Sequence, residues 1–197
     1  GSAKSFSVTS LICMIMLVES RNILFLRKTL TSAHISIIPE FVQKLELLGV
    51  SHLFQVTKTE ITCTLTNSVI YFSDNTANLK SIAGVSLVII DEAEELTDET
   101  TFDRIDLSVR QLGVVNKVIL ILNPTTREHW IYRRFFIENG VNEGYNGEKE
   151  NVNYIHTTYK DNLKNLDPSF IQSAELLKKK NPEKYQHTIL GGWLQKA

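Results

Sequence analysis

Residues Val85-Ser86-Leu87-Val88-Ile89-Ile90 form an uncharged run of mostly β-branched and aliphatic side chains, and Asp91-Glu92 follow at once. A run this short and this apolar reads as a strand buried on both faces, the position of an interior strand in a parallel sheet. Parallel strands need crossover connections, so helices must cover the faces of that sheet. Open α/β sheets present their ligands at the carboxyl ends of such strands. Paired carboxylates there suit phosphoryl chemistry: Asp91 would hold Mg²⁺ and Glu92 would polarise the attacking water, the pattern of a Walker B element. The competing reading is a core strand followed by a helix whose first turn carries acids to complement its dipole.

The start of the chain favours the first reading. Gly1-Ser2-Ala3-Lys4-Ser5 is similar to the last five residues of the phosphate-binding pattern G-x-x-x-x-G-K-[ST]. In that loop backbone N–H groups cradle phosphate, the lysine reaches the β- and γ-phosphates, and the hydroxyl binds Mg²⁺. On this reading Gly1, Ser2, Ala3, Lys4 and Ser5 bind nucleotide, and Ser5 joins Asp91 as a metal ligand. Ala3 stands where the pattern has glycine, and its Cβ restricts any left-handed backbone there. A helix is predicted from Ser5 to about Ser20, with its positive end facing the anion.

Length and composition exclude several classes. The chain has 197 residues, enough for one domain with a sizeable core and a small appendage. Hydrophobic residues make up 43%, too many for a disordered chain, and no apolar run is long enough to span a bilayer. Cys13 and Cys63 are far apart, and the five histidines show no ligand spacing, which argues for a reducing compartment and against a zinc centre. The formal net charge is −1. No global basic field advertises nucleic acid, so any DNA contact must be local or supplied by a partner.

Along the chain, Asn22–Leu26 reads as the strand that follows the first helix, ending in Arg27-Lys28-Thr29. These cations face either solvent, as a solvated strand end, or phosphate or DNA. Residues Pro39 to Leu48 predict an amphipathic helix stopped by Gly49. Leu53 to Phe72 predicts an antiparallel hairpin at a sheet edge, turning at Thr66-Asn67-Ser68. Lys80 follows, as an exposed loop lysine or a cation offered to a neighbouring subunit. A helix is predicted over Thr97 to Leu112. Lys117–Leu122 then predicts a second fully buried strand, ending at Asn123-Pro124. Asn123 is placed to sense the γ-phosphate or the attacking water, or else to initiate an Asn-Pro turn. His129 to Ile137 reads as a short helix whose aromatics pack rather than stack on bases. Asn139 to Asn151 reads as a polar loop, Val152 to His156 as a strand, and Pro168 to Lys179 and Pro182 to Leu190 as helices. The Lys178-Lys179-Lys180 run reads as a solvated helix end or a DNA-facing patch.

Taken together, G-S-A-K-S, V-I-I-D-E-A-E-E-L, L-N-P-T-T-R-E-H-W-I-Y-R-R-F-F, H-T-T-Y-K-D-N and L-G-G-W resemble the ATPase half of the large terminase subunit of tailed phages. The group from phages and prophages of Gram-positive bacteria is the nearest in pattern. The resemblance implies a P-loop NTPase-like α/β fold: a mainly parallel sheet sandwiched by helices, with an antiparallel edge hairpin and a small C-terminal helical subdomain. It implies an ATPase core over 1–150, a linker or lid over 151–197, and a nuclease domain beginning after residue 197. It further implies ATP and Mg²⁺ as cofactors and Glu92, Lys4 and Asn123 as catalytic residues. The family packages double-stranded DNA in a ring of subunits, with the portal protein and the small terminase subunit as partners and no membrane. The host bacterial cytoplasm, transiently at the procapsid portal, would be its location. Two other classes fit the same residues: another oligomeric P-loop ATPase or helicase, and a non-catalytic prophage remnant that keeps the fold.

Overall fold

Three parallel strands built from uncharged, largely aliphatic sequence make the centre of the molecule's larger sheet. In the computed structural model β1 (Asn22–Leu26) pairs in parallel with β5 (Val85–Ile90) on one side and with β4 (Val69–Ser73) on the other. β6 (Lys117–Leu120) adds in parallel to β5. β2 (Phe54–Val56) and β3 (Glu60–Cys63) extend the opposite side as antiparallel strands, giving the order β2-β3-β4-β1-β5-β6. This is the mainly parallel sheet with an antiparallel edge that the sequence predicts, but Leu53–Phe72 holds three strands rather than two: β3 and β4 turn at 66–68 as expected, a second turn at 57–59 makes β2 the edge, and β4 is interior, parallel to β1. The structure describes residues 2–28, 30–74, 82–109, 112–158, 160–161 and 167–194, with the backbone alone for 2–6 and 30–36.

Alternation along the strands sorts side chains between the two faces. Ile23, Phe25, Ile70, Phe72, Leu87 and Ile89 share one core with Ile12, Cys13 and Met16 of α1 (Ser2–Val18) and Ile37, Phe41 and Leu45 of α2 (Leu30–Leu47). Leu24, Leu26, Val88 and Ile90 turn the other way and are buried as well. All six residues of β5 are therefore buried, as predicted. Phe102 and Ile105 are the buried residues of α3 (Glu99–Ser108), whose first turn is capped by Asp98 accepting from the Thr100 N–H at 3.0 Å.

Several boundaries differ from the sequence reading. α1 begins at Ser2 rather than Ser5, so Ala3 lies in right-handed helix and its Cβ meets none of the restriction expected of a left-handed residue. α2 begins at Leu30 and runs through Pro39 instead of starting there. Proline removes one helical donor, but Ile37, Phe41 and Leu45 form a buried stripe at helical spacing on both sides of it. Burial of that stripe carries the helix across the proline. β6 is an edge strand with half-exposed side chains, not a fully buried one, because nothing in the sheet pairs beyond it among the described residues. α3 stops at Ser108, short of Leu112.

Residues from Asn123 onward cluster as a second compact unit, distinct from the one ending at Leu122. Part of the expected loop at 139–151 is in fact β7 (Gly147–Lys149), paired antiparallel with β8 (Val152–Tyr154). Glu150 and Asn151 both take positive φ, 50° and 67°, which matches the twist of a two-residue hairpin and explains the strand hidden in a polar stretch. The aromatics of α4 (Trp130–Tyr132) and the π-helical turn Arg133–Ile137 pack, as predicted. Tyr132 stacks on Phe136 at 5.5 Å, and both lie against Trp193, at 5.3 and 5.9 Å between ring centres. α5 (Pro168–Lys180) and α6 (Pro182–Thr188) each start on proline and are capped by Asp167 and Asn181. Leu194 closes the unit: its N–H donates to the Thr125 carbonyl and its carbonyl accepts from the Arg127 N–H, both at 2.7 Å.

Two expectations follow for the core. The Ser86 hydroxyl is fully buried and, among the described residues, is the buried side-chain polar atom left without a partner. Ser86→Ala should raise the unfolding free energy in urea by about 1 kcal/mol, since an unsatisfied buried hydroxyl costs about 1–3 kcal/mol; a loss of stability would show that the hydroxyl is satisfied. Burial pushes the Cys13 thiol up to about 12, against smaller opposing effects of a backbone hydrogen bond and Lys44. Its contribution to stability is intact below the pH where an exposed thiol ionises and is lost as pH climbs toward that value. Iodoacetamide at pH 8 should therefore modify Cys13 only after unfolding, and rapid labelling of the native protein would contradict this burial.

Candidate active site

The carboxyl edge of the sheet is levelled by strand register. Leu26 lies opposite both Ser73 of β4 and Ile90 of β5, and Ile90 lies opposite Leu120 of β6. Backbone pairing continues one step beyond that rung. Arg27 N–H donates to the Ser73 carbonyl at 3.1 Å, Asp91 N–H to Leu26 and Ile121 N–H to Ile90, both at 2.9 Å. The first polar residues after β1 and β5, Arg27 and Asp91, are thereby held side by side.

Asp91 is 4% exposed and carries a cation already. Arg27 Nε donates to Asp91 Oδ2 at 2.9 Å, and Nη2 donates to the same oxygen. Oδ1 accepts from the Glu92 N–H at 3.0 Å. A buried carboxylate is stable as an ion only with such partners. Its neighbour has the opposite environment: the Glu92 side chain is 40% exposed and its Oε1 lies 3.9 Å from Arg27 Nε.

The backbone produces this contrast. Glu92 adopts a left-handed conformation, φ 51° and ψ 47°, and Ala93 N–H then donates to the Ile121 carbonyl at 2.9 Å. The chain thus turns sharply off the sheet after Asp91, leaving one carboxylate inside and the next one out. A short 3₁₀ turn, Ala93–Glu95, follows in place of a regular helix, which removes the reading in which these acids cap an α-helix.

A divalent cation fits this donor set. Mg²⁺ retains water and is usually held by one or two carboxylates together with phosphate oxygens, rather than by an all-protein cage. No cluster of three or more His, Cys, Asp or Glu exists among the described residues, whereas the one deeply buried carboxylate at the sheet edge holds a positive group. Of the other residues expected at the site, Ser2, Ala3, Lys4 and Ser5 form the first turn of α1. Their side chains, and Gly1 and Lys80 altogether, lie outside the described residues. Asn123 opens the second compact unit, three residues after β6. Arg27 faces neither solvent nor open phosphate but Asp91. The signal available for it in the sequence was an arginine placed directly after one apolar strand and an aspartate directly after another.

The left-handed backbone at Glu92 has a measurable consequence. Glu92→Gly relieves about 1–2 kcal/mol of left-handed strain while losing about 0.5–1 kcal/mol of chain entropy, so stability in urea should stay within about 1 kcal/mol of wild type. Glu92→Val, β-branched in the same conformation, should lose about 1–3 kcal/mol. Equal stability of the two variants would show that the turn is not held left-handed.

Comparison with known proteins places the chain in a family. Residues 1–192 match the family model described as phage terminase large subunit. The chain is 28% identical over 199 residues to the PBSX phage terminase large subunit of Bacillus subtilis (strain 168), covering 94% of this chain and 46% of that protein. It is 27% identical over 205 residues to the large terminase subunit of Bacillus phage SPP1, covering 97% and 46%. The chain thus spans about half the length of the curated relatives it matches. Among solved structures it is similar in fold to the large terminase of a thermophilic bacteriophage, with a TM-score of 0.71 at 18% identity, covering 97% of this chain and 46% of that one. A form of the same terminase in complex with ATP-gamma-S gives 0.65 at 20% identity, covering 96% and 43%. The ATPase domain of the Thermus phage P74-26 large terminase gives 0.62 at 18%, covering 98% of this chain and 85% of that domain. The chain belongs to the phage terminase large subunit family.

Proposed function

We propose that this chain is the ATP-hydrolysing motor portion of its terminase, and that hydrolysis drives double-stranded DNA into a procapsid. The observation that carries the reading is the Asp91-Glu92 pair: adjacent acids at the carboxyl end of a buried central strand, one held inside against a cation and one partly exposed. Family membership supports the same reading, as does likeness in fold to a terminase described with ATP-gamma-S.

In this reading Asp91 and the Ser5 hydroxyl hold Mg²⁺, which when bound neutralises charge on the phosphates. Lys4 and the backbone N–H groups of Gly1 to Ser5 cradle the triphosphate at the positive end of α1. Glu92 accepts a hydrogen bond from the attacking water and aligns it with the γ-phosphate. Little covalent chemistry falls to the protein, because phosphoryl transfer is accelerated mainly by positioning and charge stabilisation. Asn123 reports the state of the γ-phosphate to the unit that it opens, and Lys80 offers a cation to a neighbouring copy's nucleotide.

The remaining assignments extend from the family. Copies act in a ring on DNA at the portal, in the host bacterial cytoplasm, together with the portal protein and the small terminase subunit. Residues 1–150 serve as the ATPase core and 151–197 as the linker or lid. No described helix is long and apolar enough to cross a membrane.

The test is Glu92→Gln in the full-length protein. Nucleotide binding measured by calorimetry should be retained, while steady-state ATP turnover falls by about 10²-fold or more, the usual contribution of a positioned general base. Turnover close to wild type would remove Glu92 from the chemistry.

A further inference from the structure

We propose that Arg27 is a positioning residue for the metal site: a tethered counter-ion that occupies Asp91 until a divalent cation displaces it, and so sets the affinity for that cation. The inference rests on the reading of Asp91 as the metal carboxylate and adds a residue that the phosphate-loop and strand-end motifs do not contain.

Three observations lead to it. First, the guanidinium contributes two donors, Nε and Nη2, to a single oxygen, Oδ2, while Oδ1 takes the Glu92 N–H. Both oxygens are engaged, so an incoming cation must displace a donor to coordinate Asp91. Second, the pair is desolvated, with Asp91 4% and the Arg27 side chain 14% exposed. A guanidinium and a divalent cation on the same buried oxygen would repel strongly at low dielectric. Loss of the guanidinium with nothing in its place would leave an uncompensated buried charge. Exchange of one cation for the other satisfies both conditions. Third, the guanidinium has somewhere to go: Glu92 Oε1 is 3.9 Å from Nε, on the solvent side of the same turn. Arg27 can therefore leave Asp91 without losing a carboxylate partner, and its departure moves positive charge toward the carboxylate assigned to the water.

Arg27 is fixed for this role by backbone rather than by side-chain packing alone. Its N–H is tied to Ser73 and the preceding carbonyl, Leu26, receives the Asp91 N–H, so the backbone positions of Arg27 and Asp91 keep one spacing whether or not their side chains are bonded. Arginine suits the task better than lysine, because its planar fork grips one carboxylate oxygen with two donors.

The experiment measures Mn²⁺ binding to the full-length protein with ADP bound, from the free-Mn²⁺ signal in electron paramagnetic resonance, with Asp91→Asn as the background for every other Mn²⁺ site. Arg27→Gln should bind Mn²⁺ at least about tenfold more tightly than wild type, and Mn²⁺ should raise its Tm by several degrees more than it raises that of wild type. Asp91→Asn should lose the site. Arg27→Lys keeps the charge with a looser grip, should fold where the glutamine variant fails to, and should bind Mn²⁺ several-fold more tightly than wild type. In wild type, the Arg27 Nε–H resonance, assigned by its absence from Arg27→Lys, should shift on addition of Mg²⁺ and ADP. If the Arg27 variants bind Mn²⁺ no more tightly while Asp91→Asn loses it, Arg27 is merely structural and the proposal is overturned, with the metal reading intact. If Asp91→Asn binds Mn²⁺ as wild type does, the metal reading of Asp91 falls and the proposal falls with it.

Discussion

Parallel pairing on both sides of β5 is the constraint from which the rest of this architecture follows. With β1 on one edge, β6 on the other and apolar side chains on both faces, the strand has no position where a charge is tolerated. Polar chemistry is therefore expelled to its ends. At the carboxyl end, register aligns Ser73, Leu26, Ile90 and Leu120 on one rung, and the residues that follow begin the site. The sheet works as a jig: it converts positions remote in sequence into neighbours with spacing fixed by hydrogen bonds.

Asp91 and Glu92 show how a single backbone conformation can give adjacent acids different surroundings. One is enclosed and paired with a guanidinium; the other, after one left-handed residue, reaches solvent. Left-handed backbone is costly for a glutamate, and it persists here because Ala93 is tied to Ile121 and the Glu92 N–H to Asp91. Strain at a residue assigned to catalysis, held in place by its neighbours, is a recurring arrangement at functional sites.

The second unit is built on different physics. Its core is a set of aromatic rings around Trp193, and its chain ends are clipped together where Leu194 exchanges two backbone hydrogen bonds with Thr125 and Arg127. Asn123 lies two residues before that clip.

Much of this was legible in the residues alone. The aliphatic run ending in Asp91-Glu92, the edge hairpin, the packed aromatics and the proline-started helices α5 and α6 each follow from local pattern, because burial and turn chemistry leave periodic marks in a sequence. Other features leave no such mark. Pro39 inside α2 is decided by a buried stripe on both sides of it, and the strand at Gly147–Lys149 by a turn whose positive φ values no periodicity encodes. β6 has the composition of an interior strand yet lies at an edge, since composition records apolar surface and not what covers it. The meeting of Arg27 with Asp91 is the clearest case. Each residue's sequence predicts a strand end, but which strands are neighbours, and in what register, is a property of the folded sheet, fixed only when long-range backbone hydrogen bonds form.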